Sequence, residues 1–192
     1  MRTVSIFKPH PSIPFLRERI HCLNTTPRLS LTPSAVQSGW NNTCGELRLK
    51  KIPEHGWCFV CGTSNPHSIG VEWWLGDDGI LTSEFILNEA QQGPPGNAHG
   101  GASAAILDEA MGLVVWAAGH KVAAVNLEIN YHKPLPLHET LHLAARITQT
   151  DERKIFSTGE IMLPDGTIAV SGRGIYVTAP QLFEKVQLYR QE

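Results

Sequence analysis

The sequence predicts an α+β fold: one long apolar helix against an antiparallel sheet of about six strands. Three observations carry this expectation. Residues 102–118 form an almost uncharged run in which Asp108 and Glu109 are the only charged side chains. Residues 124–132 alternate, with Val125, Leu127, Ile129 and Tyr131 on one face and Asn126, Glu128, Asn130 and His132 on the other, the period of a half-buried strand. Turn residues cut most of what remains of the body into runs of strand length. One helix layered on an antiparallel sheet satisfies the requirement that each element bury its apolar face.

Taken in order, residues 1–45 hold Pro9, Pro11, Pro14, Pro27 and Pro33, and five basic residues against the single acid Glu18. No helical or strand period is sustained there, which predicts an irregular N-terminal arm. An organellar transit peptide is the competing reading of such an acid-poor start. The domain proper is expected over residues 46–180. Residues 70–75 read as a strand, Gly76-Asp77-Asp78-Gly79 as a turn, and residues 80–87 as the hairpin partner. Trp73 and Trp74 fall on opposite faces of the first strand, so one packs inward and the other meets the arm or a partner. A Gly/Pro-rich loop, Gly93-Pro94-Pro95-Gly96-Asn97-Ala98-His99-Gly100-Gly101, leads into the helix, which Gly119-His120 ends. Lys133-Pro134-Leu135-Pro136 closes the strand at 124–132. Three further strands, 140–150, 154–163 and 167–178, are separated by Asp151-Glu152-Arg153 and Pro164-Asp165-Gly166. A charged tail, residues 181–192, follows. The helix is apolar nearly all round, so the sheet must curl about it or a second copy must cover it.

Bulk properties exclude several classes. A net charge of -2 argues against a dedicated nucleic-acid binder. No run approaches the ~18 apolar residues of a membrane span. Four cysteines, Cys22, Cys44, Cys58 and Cys61, are too sparse for a disulfide scaffold, and no secretory apolar region precedes them. Reduced thiols in the cytoplasm are expected. His55, Cys58, Cys61 and His67 also invite a zinc reading, but a lone Cys-x-x-Cys is weak evidence. Thiols packed beside the sheet, with no metal, are the expectation.

The loop and helix carry the chemistry. A helix start offers unpaired N–H groups and a positive dipole end, and Gly100 and Gly101 let a ligand approach closely. Asp108 is a carboxylate in an apolar helix and is expected to have a function, whereas Glu109, about 100° round the helix, is expected to be structural, at a dimer seam. Eight residues separate Gly100 from Asp108, about 12 Å of helical rise. A reacting carbonyl must lie about 3 Å from both its donors and its attacking group. One chain therefore does not place both at one carbon, whereas two antiparallel copies of the helix do. A homodimer with two shared sites is expected, with a dimer of dimers also open.

Residues 58–178 resemble a hotdog-fold acyl-CoA thioesterase of the PaaI-like branch. The resemblance rests on Gly-Pro-Pro-Gly-x-x-His-Gly-Gly at 93–101 with Asp108 in register, on Cys58-Phe59-Val60-Cys61-Gly62 with Asn65-Pro66, and on Asn126-Leu127, Ile129-Asn130-Tyr131 and Pro134. It implies a sheet wrapped around the central helix, and dimers that pair two such sheets. By the same resemblance Asp108 is the catalytic base or nucleophile. Gly100 N–H, with Gly101, polarises the thioester carbonyl, and His99 orients the loop. Gln92, Asn97, Asn126, Glu128, Lys133 and Arg173 are the candidate substrate contacts; Lys133, Arg153, Lys154 and Arg173 are basic candidates for the phosphates of coenzyme A. The implied substrate is acyl-CoA, with no separate cofactor and no nucleic-acid or membrane partner. Two positions depart from the pattern. Ala124 stands where relatives often have Ser or Thr, leaving Asn126 or Glu128, read as sharing its strand face, to hold the water. Gln91 stands where relatives often have His. These departures keep open a second reading, a protein that binds acyl-CoA or a similar apolar ligand without turning it over. The motif of a hotdog hydratase is not found.

Overall fold

The computed structural model describes residues 48–183. The arm expected at 1–45 and residues 184–192 of the tail lie outside the described residues. The described residues form seven strands: β1 (Leu49–Ile52), β2 (Trp73–Gly76), β3 (Leu81–Ile86), β4 (Val122–Tyr131), β5 (Thr140–Thr150), β6 (Lys154–Met162) and β7 (Ile168–Thr178). The helix α1 runs from Gly100 to Ala117. The sheet is antiparallel throughout, in the order β1-β2-β3-β5-β6-β7-β4.

Each expected element is present, and β1 is added to the six expected strands. Its sequence, Leu-Lys-Lys-Ile, is almost fully exposed and, among the described residues, pairs only with β2. The two Trp side chains divide as expected: Trp73 is buried, while Trp74 lies under Lys51, 5.7 Å from ring centroid to ammonium nitrogen.

α1 crosses one face of the sheet and touches β3 to β7. Glycines on the sheet make room for it. A Cβ at Gly159 would stand 2.9 Å from Leu107 Cδ2, and one at Gly172 would stand 3.1 Å from Met111 Cε. Leu107 and Met111 are wholly buried as a result. Ser157 Oγ donates to the Met111 carbonyl at 3.2 Å, a further tie of β6 to the helix. The sheet does not cover α1 alone. Val60, Cys61 and Val71, ahead of β2, belong to the same buried cluster, and Cys61 reaches Glu109 on the helix. Among the described residues no helix is long and apolar enough to cross a membrane.

Candidate active site

The loop before α1 is built by its own polar groups. Gly96 takes a positive φ of 75°, and its N–H donates to Gln92 Oε1 at 3.1 Å. Asn97 Nδ2 donates to the Pro95 carbonyl at 3.1 Å. Gln92 and Asn97 thus shape the loop. Backbone bridges Gln92–Ala98 and Asn97–Pro136 brace it from both sides. Gln91 accepts from Asn88 N–H through its side chain at 3.2 Å and from His99 N–H through its carbonyl at 2.7 Å. The side-chain bond uses the amide oxygen of Gln91, whereas the backbone bond is independent of the residue type at this position.

His99 caps the helix: its Nδ1 accepts from Gly101 N–H at 2.9 Å. Gly101 N–H is therefore engaged within the chain. Gly100 N–H makes no hydrogen bond among the described residues, as the orphan donors of a first helical turn require a partner from elsewhere. Tyr131 lies against Gly100. Its hydroxyl donates to the Gly100 carbonyl at 3.0 Å, and a Cβ on Gly100 would meet the ring at 3.2 Å.

Asp108 is half-buried on the flank of α1 that faces β7. Tyr176, buried on β7, donates to Asp108 Oδ1 at 3.4 Å and to its carbonyl at 3.2 Å. Burial raises the carboxyl above its ordinary value; the Tyr176 hydroxyl opposes this and the charge of Glu109 adds to it. Burial also raises the phenol, followed by the negative charge of Asp108, so Tyr176 remains a donor at neutral pH. The ring occupies a slot cut by two glycines. A Cβ at Gly112 would stand 3.4 Å from it, and one at Gly174 would stand 2.8 Å from its hydroxyl oxygen.

β4 corrects the face assigned to its residues. Ala124 is opposite Tyr176, yet Asn126 is opposite Ile175, because the register shifts between them. Val125 is the surplus residue of a bulge and is 58% exposed rather than inward-facing. Ala124 therefore lies on the helix face of the sheet beside Tyr176. Asn126, Glu128 and Asn130 point to the opposite face, so neither Asn126 nor Glu128 shares the face of Ala124. Arg173 is the register partner of Glu128 and lies on that same outer face. Lys133 is exposed just beyond β4. The structure thus separates two groups: Gly100, Gly101 and Asp108 on α1 with His99 as its cap, and Asn126, Glu128 and Arg173 behind the sheet.

Glu109, expected to be structural, is held within the chain: it accepts from His55 Nδ1 at 2.7 Å and from Cys61 Sγ at 3.6 Å. Hydrogen bonds from Cys61 and from His55 hold the Cys58 thiol well below its ordinary range, against the opposing effect of burial. Burial lowers His55, but its bonds to Cys58 and Glu109 prevail and push it up to about 9. A cleft of about 410 Å³ lies at the far end of α1, among Leu75, Ile80, Val114, Ala118, Arg146 and Ile147, and includes neither Asp108 nor Gly100.

The thioesterase superfamily profile matches residues 95–170, from the Gly/Pro loop into β7. A crystal structure of a thioesterase superfamily protein superposes with a TM-score of 0.62 at 34% identity, covering 64% of this chain and 60% of that one. The described body has the hotdog fold, and residues 95–170 within it are similar to the thioesterase superfamily. The PaaI protein of E. coli, at 17% identity, shares the hotdog fold with a TM-score of 0.54, covering 58% of this chain and 80% of its own. Among curated relatives, the acyl-coenzyme A thioesterase THEM4 of Rattus norvegicus is 36% identical over 74 residues, and that of Mus musculus 33% identical over 95 residues. These matches cover 38% and 50% of this chain but only 32% and 38% of the relatives, so the chain spans less than half of their length. Tyr176 and Tyr131, to which the sequence reading gave no role at the site, sit at the ends of rows that face α1. The small-small-large row Gly172, Gly174, Tyr176 was the available signal.

Proposed function

We propose that the domain hydrolyses acyl-CoA thioesters to a carboxylic acid and free coenzyme A. The observation that carries this reading is Asp108 on the flank of α1, half-buried and bonded by the Tyr176 hydroxyl. The names of the relatives supply the substrate class: the curated ones are acyl-coenzyme A thioesterases, and a hypothetical thioesterase from Streptococcus pneumoniae was crystallised with coenzyme A. In this reading Asp108 takes a proton from water, the water oxygen bonds to the acyl carbon, and the C–S bond breaks with its electron pair on sulfur. The thiolate then accepts the proton. Gly100 N–H stabilises the oxyanion that forms between these events. Asp108 can instead attack directly, with water cleaving the resulting anhydride.

The site is shared between two copies in this proposal. Gly100 and Asp108 lie eight residues apart on one helix, about 12 Å of rise, beyond the reach of one carbonyl. β4 ends the sheet and pairs only with β7 among the described residues. A two-fold axis perpendicular to the sheet at its free edge would join two sheets and set two α1 helices antiparallel.

The test is thiol release from a panel of acyl-CoAs by the wild type and Asp108→Asn. The expected result is turnover by the wild type and a loss on the order of 100-fold or more in the variant. Equal rates would remove Asp108 from the reaction. One observation favours a second reading: Ala124, beside Tyr176, offers no hydroxyl to a water. Tight acyl-CoA binding without product would establish a carrier or sensor instead.

A further inference from the structure

Outside the proposed hydrolytic site, one cluster of side chains is assembled with the chemistry of a metal centre. The ligand atoms of His55, Cys58, Cys61 and Glu109 all lie within 4.8 Å of one another. Cys61 Sγ is 3.7 Å from His55 Nδ1 and 3.6 Å from Glu109 Oε1. With Zn–S near 2.3 Å and Zn–N or Zn–O near 2.1 Å, the S···N and S···O edges of a tetrahedron are both about 3.6 Å. Two of the six edges are therefore already at coordination length, and the His55–Glu109 edge, now a hydrogen bond at 2.7 Å, needs only to open.

The turn that carries three of the ligands is built tightly. Cys58 N–H donates to the His55 carbonyl at 3.1 Å, and Gly62 N–H to the Cys58 carbonyl at 3.0 Å. Val60 N–H donates to Cys58 Sγ at 3.3 Å, a bond that favours thiolate. A Cβ at Gly62 would collide with the backbone of Gly56 and Cys58. Glu54 clamps the turn by accepting from Thr63 N–H at 3.0 Å and from its hydroxyl at 2.9 Å. The fourth ligand comes from α1, 48 residues beyond Cys61. His67, the fourth ligand of the sequence-local zinc reading, is exposed and outside the cluster.

We infer that His55, Cys58, Cys61 and Glu109 form a structural zinc site that pins the turn before β2 to α1, one residue from Asp108. Two sulfur donors disfavour magnesium and calcium, and a mixed sulfur, nitrogen and oxygen set of four suits tetrahedral Zn²⁺. An iron–sulfur cluster calls for four Cys, or two Cys with two His in a Rieske centre, and this set has a single His. Four protein ligands fill the coordination shell and leave no position for substrate, so the site's function is to hold structure. Binding displaces the proton that His55 Nδ1 donates to Glu109 and releases the thiol protons of Cys58 and Cys61 where they are present.

The test uses the full chain purified under reducing conditions without chelator, and its readout is metal content rather than hydrolysis. Elemental analysis is expected to find about one zinc per chain. The zinc-free wild type titrated with Co²⁺ is expected to develop the intense visible bands and thiolate charge transfer of a tetrahedral site. Because this second measurement uses the native sequence, a poorly folding variant does not blunt it. The double variant Cys58→Ser with Cys61→Ser is expected to lose zinc, Glu109→Gln to bind it severalfold more weakly, and His67→Ala to keep it. A wild type with neither stoichiometric zinc nor cobalt bands overturns the inference. So do full zinc in the double variant, a Cys58–Cys61 disulfide that persists with reductant and zinc present, and dependence on His67 without dependence on Glu109.

Discussion

Asp108 and Glu109 are neighbours in sequence but face different chemistry. Asp108 meets a phenol from β7, and Glu109 meets an imidazole and a thiol from the turn before β2. Burial raises the Asp108 carboxyl above its ordinary value, so the acid limb of kcat/KM is expected above the usual aspartate range. Tyr176→Phe removes the hydroxyl that lowers this group. Its acid limb is expected to move to still higher pH, which a pH–rate profile reads directly. The sign for stability is the reverse of a salt-bridged aspartate. The protonated form is favoured by folding, and this advantage is lost as pH rises through the folded pKa. At neutral pH the ionised group is a net cost to folding. Asp108→Asn is therefore expected to leave the melting temperature unchanged or higher, as calorimetry at pH 7 would show, while hydrolysis is lost. The placement of His99, Gly100 and Asp108 at the start and along one helix was legible because their spacing lies within one loop and helix. Tyr176 and the partners of Glu109 were not, because each arrives from an element far along the chain, and periodicity carries no information on such pairings.

The elements were more legible than the contacts between them. Alternation and turn residues located β2 to β7 and α1 to within a few residues, because each buries one face and each end is marked by Gly, Pro or Asp. β1 escaped because an exposed edge strand needs no apolar period. The bulge at Val125 escaped because a regular alternation reads straight through it. The glycine slot around Tyr176 gives a prediction at this scale. Gly174→Ala must displace the ring, at a cost of about 1–3 kcal/mol in urea unfolding, and is expected to lower hydrolysis more than stability explains. At the helix–sheet seam, Leu107→Ala is expected to cost about 2–5 kcal/mol, since Leu107 is wholly buried between α1 and Gly159.

For the whole molecule, the expectation is a dimer whose site forms only on association. Light scattering of the eluted protein should give twice the chain mass. Specific activity should fall on dilution through the dissociation range and recover when an inactive Asp108→Asn chain is added, because mixed pairs restore one Asp108 opposite one Gly100. Rates that stay proportional to concentration at every dilution would place the site within one chain. The strand order carries a further consequence for synthesis. β4 precedes β5, β6 and β7 in the chain, yet its only described sheet partner is β7. The meander of three must be laid down before β4 has a neighbour to join. Asp108 thus leaves the ribosome 68 residues ahead of the hydroxyl that holds it, on the order of 3–14 seconds at bacterial or eukaryotic elongation speeds. During that interval the nascent helix carries an acid without its guardian. Any message truncated before residue 168 yields a product whose last-made strand leaves the site's wall unbuilt.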